Sequence, residues 1–187
     1  MTRYAMAVDL KKCVGCNACA VACKAENEVP EGVFRLTVHE LETGTFPEPE
    51  TEFRHDQCRH CDSAPCVSVC PTRASYTDDE GFVRINYSKC IGCKACMVAC
   101  PYDARFTNPD GGFADKCTFC IHRVREGKEP VCVNTCPTEA RIFGDLDDPT
   151  SDIREAIEDN RVTIPKKEAG TKPKFFYLNE EVAEVNQ

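Results

Sequence analysis

Sixteen cysteines fall into four runs of four, and none is left over. The first run is Cys13, Cys16, Cys19 and Cys23; the second is Cys58, Cys61, Cys66 and Cys70. The third is Cys90, Cys93, Cys96 and Cys100; the fourth is Cys117, Cys120, Cys132 and Cys136. Runs one and three read C-x2-C-x2-C-x3-C, the thiolate spacing of bacterial ferredoxin clusters. Runs two and four are that pattern with one gap widened. Sixteen thiolates supply four ligands to each of four 4Fe–4S clusters, and the chemistry of such clusters is electron transfer. A disulfide scaffold fits poorly: such frameworks belong to much shorter chains, and cysteines three apart in a row do not each reach a separate partner. Structural zinc takes paired C-x2-C units divided by a longer spacer, whereas here a third cysteine follows two residues after the pair.

At 187 residues the chain fits one to two small domains. Tryptophan is absent and aromatics are few, so the aliphatic core is thin. Inorganic clusters substitute for it, each cross-linking four chain positions. Folding is therefore expected to be coupled to cofactor insertion, with a metal-free chain largely unfolded. The formal charge is −8, and four oxidised clusters with their thiolates would add about −8 more. That acidity argues against nucleic acid as a partner. No stretch approaches the roughly 18 apolar residues of a membrane span. The opening MTRYAMAVDLKKC has neither an h-region nor a twin-arginine signal. Read alone it points to the cytoplasm, save for export together with a partner that bears a signal. No nucleotide-binding glycine fingerprint, G-x-S-x-G or flavin or NAD motif occurs. The chain is expected to turn over no substrate alone.

An internal repeat positions two of the runs. VDLKKCVGCNACAVAC (residues 8–23) matches INYSKCIGCKACMVAC (residues 85–100) at nine of sixteen positions, at an offset of 77. Each copy predicts a short strand (4–8 and 82–85), a polar turn at Asp9 or Asn86, a cysteine loop, and a helical turn carrying the last cysteine. Gly15 and Gly92 lie between the first two cysteines, where a missing Cβ lets backbone amides approach sulfur. Proline follows the last cysteine at Pro71, Pro101 and Pro137 and stops each short helix; run one has Lys24 instead. Between runs one and two, Phe34, Leu36 and Val38 alternate with Arg35, Thr37 and His39. That predicts a strand, with a turn at Gly44 and Pro47 and a return over 51–54: a hairpin that shields a cluster or meets a partner. Residues 108–113 read as a loop and 143–149 as a turn. Residues 152–160 read as a helix with Ile153, Ala156 and Ile157 on one face. The closing GTKPKFFYLNEEVAEVNQ reads as extended, with Phe175, Phe176, Tyr177 and Leu178 as a packing strip.

His60 and His122 lie among the cysteines, but every ligand position is already filled, so they read as neighbours of a cluster or surface residues. His39 and His55 give no signal. Arg123, Arg125 and Lys128 read as a solvated helix face, or as positive charge near a cluster that would raise its potential.

In two-cluster ferredoxins the fourth cysteine of one motif serves the other motif's cluster. Four runs then form two pairs: one with two and three with four, or nested, two with three and one with four. Spacing leaves both open. The strings DLKKCVGCNACAVACKAEN, QCRHCDSAPCVSVCPT, KCIGCKACMVACPYDAR, KCTFCIHR and CVNTCPTEARIFGDLDDP resemble the four-cluster iron–sulfur (beta) subunit of the dimethyl sulfoxide reductase superfamily. They are most similar to the polysulfide and thiosulfate reductase subunits. The resemblance runs from Tyr4 to about Leu178 with all sixteen cysteines in register, and Lys24 in place of proline is typical there.

The resemblance implies the nested wiring. One cluster takes Cys13, Cys16, Cys19 and Cys136; a second Cys23, Cys117, Cys120 and Cys132; a third Cys58, Cys61, Cys66 and Cys100; the fourth Cys70, Cys90, Cys93 and Cys96. No ligand is missing, so all four are expected to be 4Fe–4S. The implied fold is α+β: tandem ferredoxin-like modules of the bacterial 2[4Fe–4S] type, with an inserted β-hairpin and an extended C-terminal tail. Residues 1–26 and 112–145 would form the first module, 27–57 the hairpin, 58–111 the second module and 146–187 the helix and tail. The implied role is a non-catalytic electron-transfer subunit that links a large molybdopterin catalytic subunit to an integral membrane quinone-binding anchor, with polysulfide or thiosulfate as the complex's substrate. It would sit peripherally on the membrane through these partners, on the periplasmic side if co-exported and otherwise on the cytoplasmic side. The alternative is a free soluble polyferredoxin, against which the hairpin and long tail argue.

Overall fold

The computed structural model describes residues 2–180. Along the chain run β1 (Tyr4–Asp9), α1 (Ala18–Glu26), β2 (Leu36–Thr45), β3 (Glu48–Gln57), α2 (Pro65–Ser68), β4 (Ser75–Thr77) and β5 (Val83–Ile85). Then come α3 (Ala95–Val98), β6 (Phe106–Thr107), β7 (Ala114–Asp115), α4 (Ile121–Val124), α5 (Val131–Asn134), β8 (Arg141–Asp145), α6 (Asp152–Asp159), β9 (Val162–Thr163) and β10 (Phe175–Leu178).

The apolar β1 is the spine. Its sheet has the order β8-β1-β10-β9, with β8 antiparallel and β10 parallel to β1. Successive side chains of a strand point to opposite faces, and β1 uses both. Ala5 and Ala7 face α6, packing with Ile153 and Ala156, where small side chains let the helix approach. Met6 and Val8 face the other way, into a core with Phe82, Phe119, Phe175, Tyr177 and the buried cysteines Cys19, Cys23, Cys58, Cys117 and Cys132. The cysteines thus form part of the hydrophobic interior.

One expectation is corrected. Residues 143–149 do not form one turn, because Phe143 to Asp145 belong to β8, which pairs with the free edge of β1 while Phe143 stacks on Tyr4 at 5.4 Å. The packing strip at 175–178 is β10, with Phe175, Tyr177 and Leu178 buried in the chain's own sheet. Residues 181–187, also read as extended, lie outside the described residues. The second-copy strand begins at Val83 and the C-terminal helix ends at Asp159.

The repeat is visible in the backbone. Asn17 and Lys94, 77 apart, both hold a left-handed conformation at the start of α1 and α3. Proline disfavours helix at the residue before it, and α2, α3 and α5 each end after four residues, ahead of Cys70, Cys100 and Cys136. With Lys24 in that place, α1 continues through Cys23 to Glu26. Strands β2 and β3 pair from Leu36↔Gln57 out to Thr45↔Glu48. Only the hairpin's base is buried, and Phe46 at its tip is 95% exposed. No helix among the described residues is long and apolar enough to cross a membrane.

Candidate functional site

All sixteen cysteines are free thiols, gathered from distant parts of the chain. Cys13, Cys16, Cys19 and Cys136 line one cavity, and Cys70, Cys90, Cys93 and Cys96 line another. The other eight lie deeper. Cys61 has Cys58, Cys66 and Cys100 as its charged sulfur neighbours, and Cys23 has Cys132 and Cys120. Cys117 feels Cys23 and Cys132, and also Cys58, where the two inner groups meet. Among the described residues no three His, Cys, Asp or Glu side chains converge on one point. A structural zinc ion needs all its ligands on a single atom. A cubane is held differently, each cysteine binding its own iron, so its sulfurs stand apart.

Burial pushes the Cys23 thiol up to about 12, with Cys132 and Cys120 adding to it. Burial likewise takes Cys61 to about 11 and Cys117 well above its ordinary value. Thiolates at these positions need iron to offset their charge, and loading releases the protons. Two thiols run the other way. At Cys70 and Cys136 burial also raises, but it is outweighed: by the Ser75 N–H and Thr72 at Cys70, and by the Arg141, Thr138 and Ala140 N–H groups at Cys136. Both belong to a Cys-Pro-Thr turn, so the threonine of that motif carries a signal beyond the helix stop given by its proline.

The buried cations supply the test of fit. Arg105 Nη2 lies 2.8 Å from Cys66 Sγ and 2.9 Å from Ser75 Oγ. Arg141 is buried facing Cys132, Cys19 and Cys117. Arg105 Nε and Nη1 and Arg141 Nε have no hydrogen-bond partner among the described residues, a state that costs about 1–3 kcal/mol per donor or more. Arg105 lines the cavity of Cys70 and Arg141 that of Cys13. Thiolates with unpaired N–H donors aimed among them fit a sulfide-rich, anionic cluster. Of the two readings of the basic group after Cys120, the solvated face agrees with the structure: Arg123 pairs with Glu26, Arg125 with Glu80 and Lys128 with Glu126. Arg105 and Arg141 were not singled out from the sequence, although both stand five residues after the last cysteine of a run, in CPYDAR and CPTEAR, and that shared position was the available signal.

One backbone feature unites the four runs. The residue before the second cysteine has positive φ in each: Gly15, His60, Gly92 and Phe119. A side chain at Gly15 would strike the Phe53 ring, and one at Gly92 the Gly112 carbonyl. His60 and Phe119 instead stack on each other at 3.9 Å in the interior. Val83 N–H donates to His60 Nδ1 at 3.2 Å, so Nε2 carries the proton and donates to the Cys117 carbonyl at 3.0 Å. Burial, Lys116 and Lys174 hold His60 well below its ordinary value. It therefore bridges the two inner groups as a neutral ring. His122 is at the surface against Glu26. The histidine that gave no signal, His55, lies 3.3 Å from Cys13 Sγ. The alternation of Phe53, His55 and Gln57 on one face of β3 was the available clue.

The two outer groups each reach the surface. Cys16 and Cys93 are exposed. Val14 and Val21 flank the first, Ile91 and Val98 the second, all exposed and all related by the 77-residue offset, with Val98 the extreme at 89%.

Comparison with known proteins agrees with this chemistry. Two models described as "4Fe-4S dicluster domain" match residues 49–146 and 12–74. The sequence is 43% identical to a polysulfide reductase chain of Wolinella succinogenes, covering 94% of each. It is 44% identical to the thiosulfate reductase electron transfer subunit of Salmonella typhi, over 96% of this chain and 94% of the relative. It is 44% identical to a tetrathionate reductase subunit of Salmonella typhimurium, over 94% and 72%.

Proposed function

This protein belongs to the 4Fe-4S dicluster family of reductase iron–sulfur subunits, and on that premise we propose that it is the electron relay of a membrane-associated molybdopterin oxidoreductase. Bound 4Fe–4S clusters supply one-electron storage; the chain's residues hold them, exclude water and set their charge environment. The observation that carries the reading is the gathering of sixteen free thiols around buried arginines with unpaired donors.

In this reading four clusters are held in nested fashion. Cys13, Cys16, Cys19 and Cys136 hold the first, as the lining of their common cavity supports. Cys70, Cys90, Cys93 and Cys96 hold another, on the same ground. Cys23, Cys117, Cys120 and Cys132, and Cys58, Cys61, Cys66 and Cys100, hold the inner pair; their mutual charge effects support this. The modules follow as 1–26 with 112–145, and 58–111, with the hairpin at 27–57 as an insertion and 146–187 as the tail. Cys16 and Cys93, exposed in apolar surroundings at opposite ends of the ligand series, are the two ports. One meets the catalytic molybdopterin subunit and the other a membrane subunit that exchanges electrons with quinone. The chain catalyses nothing alone and is peripheral to the membrane through those partners. A polysulfide- or thiosulfate-type substrate is favoured, since relatives named for those reductases are 43% and 44% identical.

The wiring has a direct test. Cys23→Ser should alter the same paramagnetic signal as Cys120→Ser in the reduced, anaerobic protein, and leave the signal that Cys16→Ser alters. Loss of the Cys16-dependent signal in Cys23→Ser would reject nesting. An anaerobic preparation should hold about sixteen irons per chain; half that count would reject four clusters.

A further inference from the structure

His55 sits on β3, 1% exposed. Its Nδ1 lies 2.7 Å from Arg141 Nη1 and its Nε2 3.3 Å from Cys13 Sγ. A guanidinium only donates, so Nδ1 accepts and the ring proton is on Nε2, facing the sulfur. Every other part is held. Arg141 is fixed by Gln57 Oε1 and, at 2.9 Å, by Met6 Sδ. Tyr177 Oη donates to the His55 carbonyl at 2.8 Å, and the strand register places His55 opposite Val38 at the hairpin's buried base.

The internal repeat provides a comparison within the molecule. Cys90 stands where Cys13 stands, 77 residues on. Gly15 packs beneath Phe53 of β3, whereas Gly92 packs beneath the Gly112 carbonyl. The hairpin thus brings a donor to the first cysteine loop, while a turn with a carbonyl covers the other. Among the described residues, no histidine lines the cavity of Cys70, Cys90, Cys93 and Cys96.

We infer that His55 is a redox-tuning residue, whose Nε2–H donates to Cys13 Sγ and raises the reduction potential of the cluster that Cys13 holds. This rests on the reading of Cys13 as a cluster ligand. Hydrogen bonds onto ligating sulfur favour the reduced, more negative state and are among the levers that set cluster potentials. The hairpin then has an electronic role as well as a covering one, and it makes the two outer clusters unequal.

The test is an anaerobic redox titration of the assembled complex, followed by paramagnetic resonance, with iron counted in each sample. His55→Asn keeps an acceptor for Arg141 but falls short of the sulfur. It should lower one midpoint, that of the signal Cys13→Ser perturbs, by about tenfold in the reduction equilibrium, which is about 59 mV for one electron. His55→Gln, which reaches the Nε2 position, should restore at least half the shift. Should His55→Asn fail to assemble, His55→Leu carries the same expectation. Full iron content with every midpoint unchanged, or a shift confined to a signal that Cys13→Ser leaves alone, overturns the inference. Wild-type protein with no reducible cluster overturns the functional reading, and this inference with it.

Discussion

Anaerobic removal of iron is expected to unfold this protein. A strong chelator is expected to bleach the brown colour, abolish the cooperative thermal transition and reduce the far-ultraviolet dichroism to that of a largely disordered chain. The reason lies in what the core is made of. Cys19, Cys23, Cys58, Cys117 and Cys132 are interior residues packed against Met6, Val8 and Phe119. Arg105 and Arg141 are buried among the thiols with unpaired N–H groups. Arg141's remaining contacts are His55, Gln57 and Met6, all uncharged. Loaded sites give both guanidinium groups anionic surroundings. Emptied sites leave neutral thiols, because burial raises Cys66 beside Arg105 and Cys19 and Cys117 beside Arg141. Each unpaired buried charge then costs about 3–5 kcal/mol, and two approach or exceed the whole stability of a small domain, about 5–15 kcal/mol. Refolding with iron and sulfide should restore the transition. An iron-free chain that keeps a cooperative transition at the same temperature would show that the arginines and the polypeptide core suffice.

The second large effect concerns the ports. Ile91→Asp with Val98→Asp should release one partner while leaving iron content and reduction by a small dye unchanged. Val14→Asp with Val21→Asp should release the other. These side chains are exposed in the isolated chain, so the substitutions cost little folding stability. In an assembled interface each buried carboxylate would lack a partner, and the affinity should fall about a hundredfold or more. Co-purification and partner-linked turnover read the effect. If both double variants keep both partners, or both lose the same one, the two-port arrangement is wrong.

Much of this site was legible because cluster ligation is local. The cysteines fall in four compact runs, so spacing alone exposes them, and the repeat at 77 residues exposes its own symmetry. The hairpin alternation at residues 34–39 was equally plain and resolves into β2 and β3. Less visible were features that depend on contacts between distant segments. β8 looked like a turn because FGDLDD is rich in turn formers; pairing with β1 overrides that preference. β10 read only as an extended packing strip, with no sheet assigned, because its parallel partner, β1, lies some 170 positions earlier. The charges that matter were missed for the same reason. Arg123, Arg125 and Lys128 stand near a cysteine in sequence but pair with surface carboxylates, whereas Arg105 and Arg141, each five residues past the last cysteine of a run, turn inward to the sulfurs of Cys66 and Cys19 in other runs, and His55 reaches Cys13 from β3. A left-handed residue before the second cysteine was readable at Gly15 and Gly92, but at His60 and Phe119 only the fold reveals it.

The most direct test of the central claim is an anaerobic capture of the tagged protein from native membranes, with metal analysis and identification of the chains that accompany it. The account predicts a brown complex with about sixteen irons on this subunit, a large partner containing molybdenum or tungsten, and a multi-span membrane protein. A brown protein that comes out of the membrane fraction alone, with full iron and no stable partner, would contradict it and leave a free polyferredoxin.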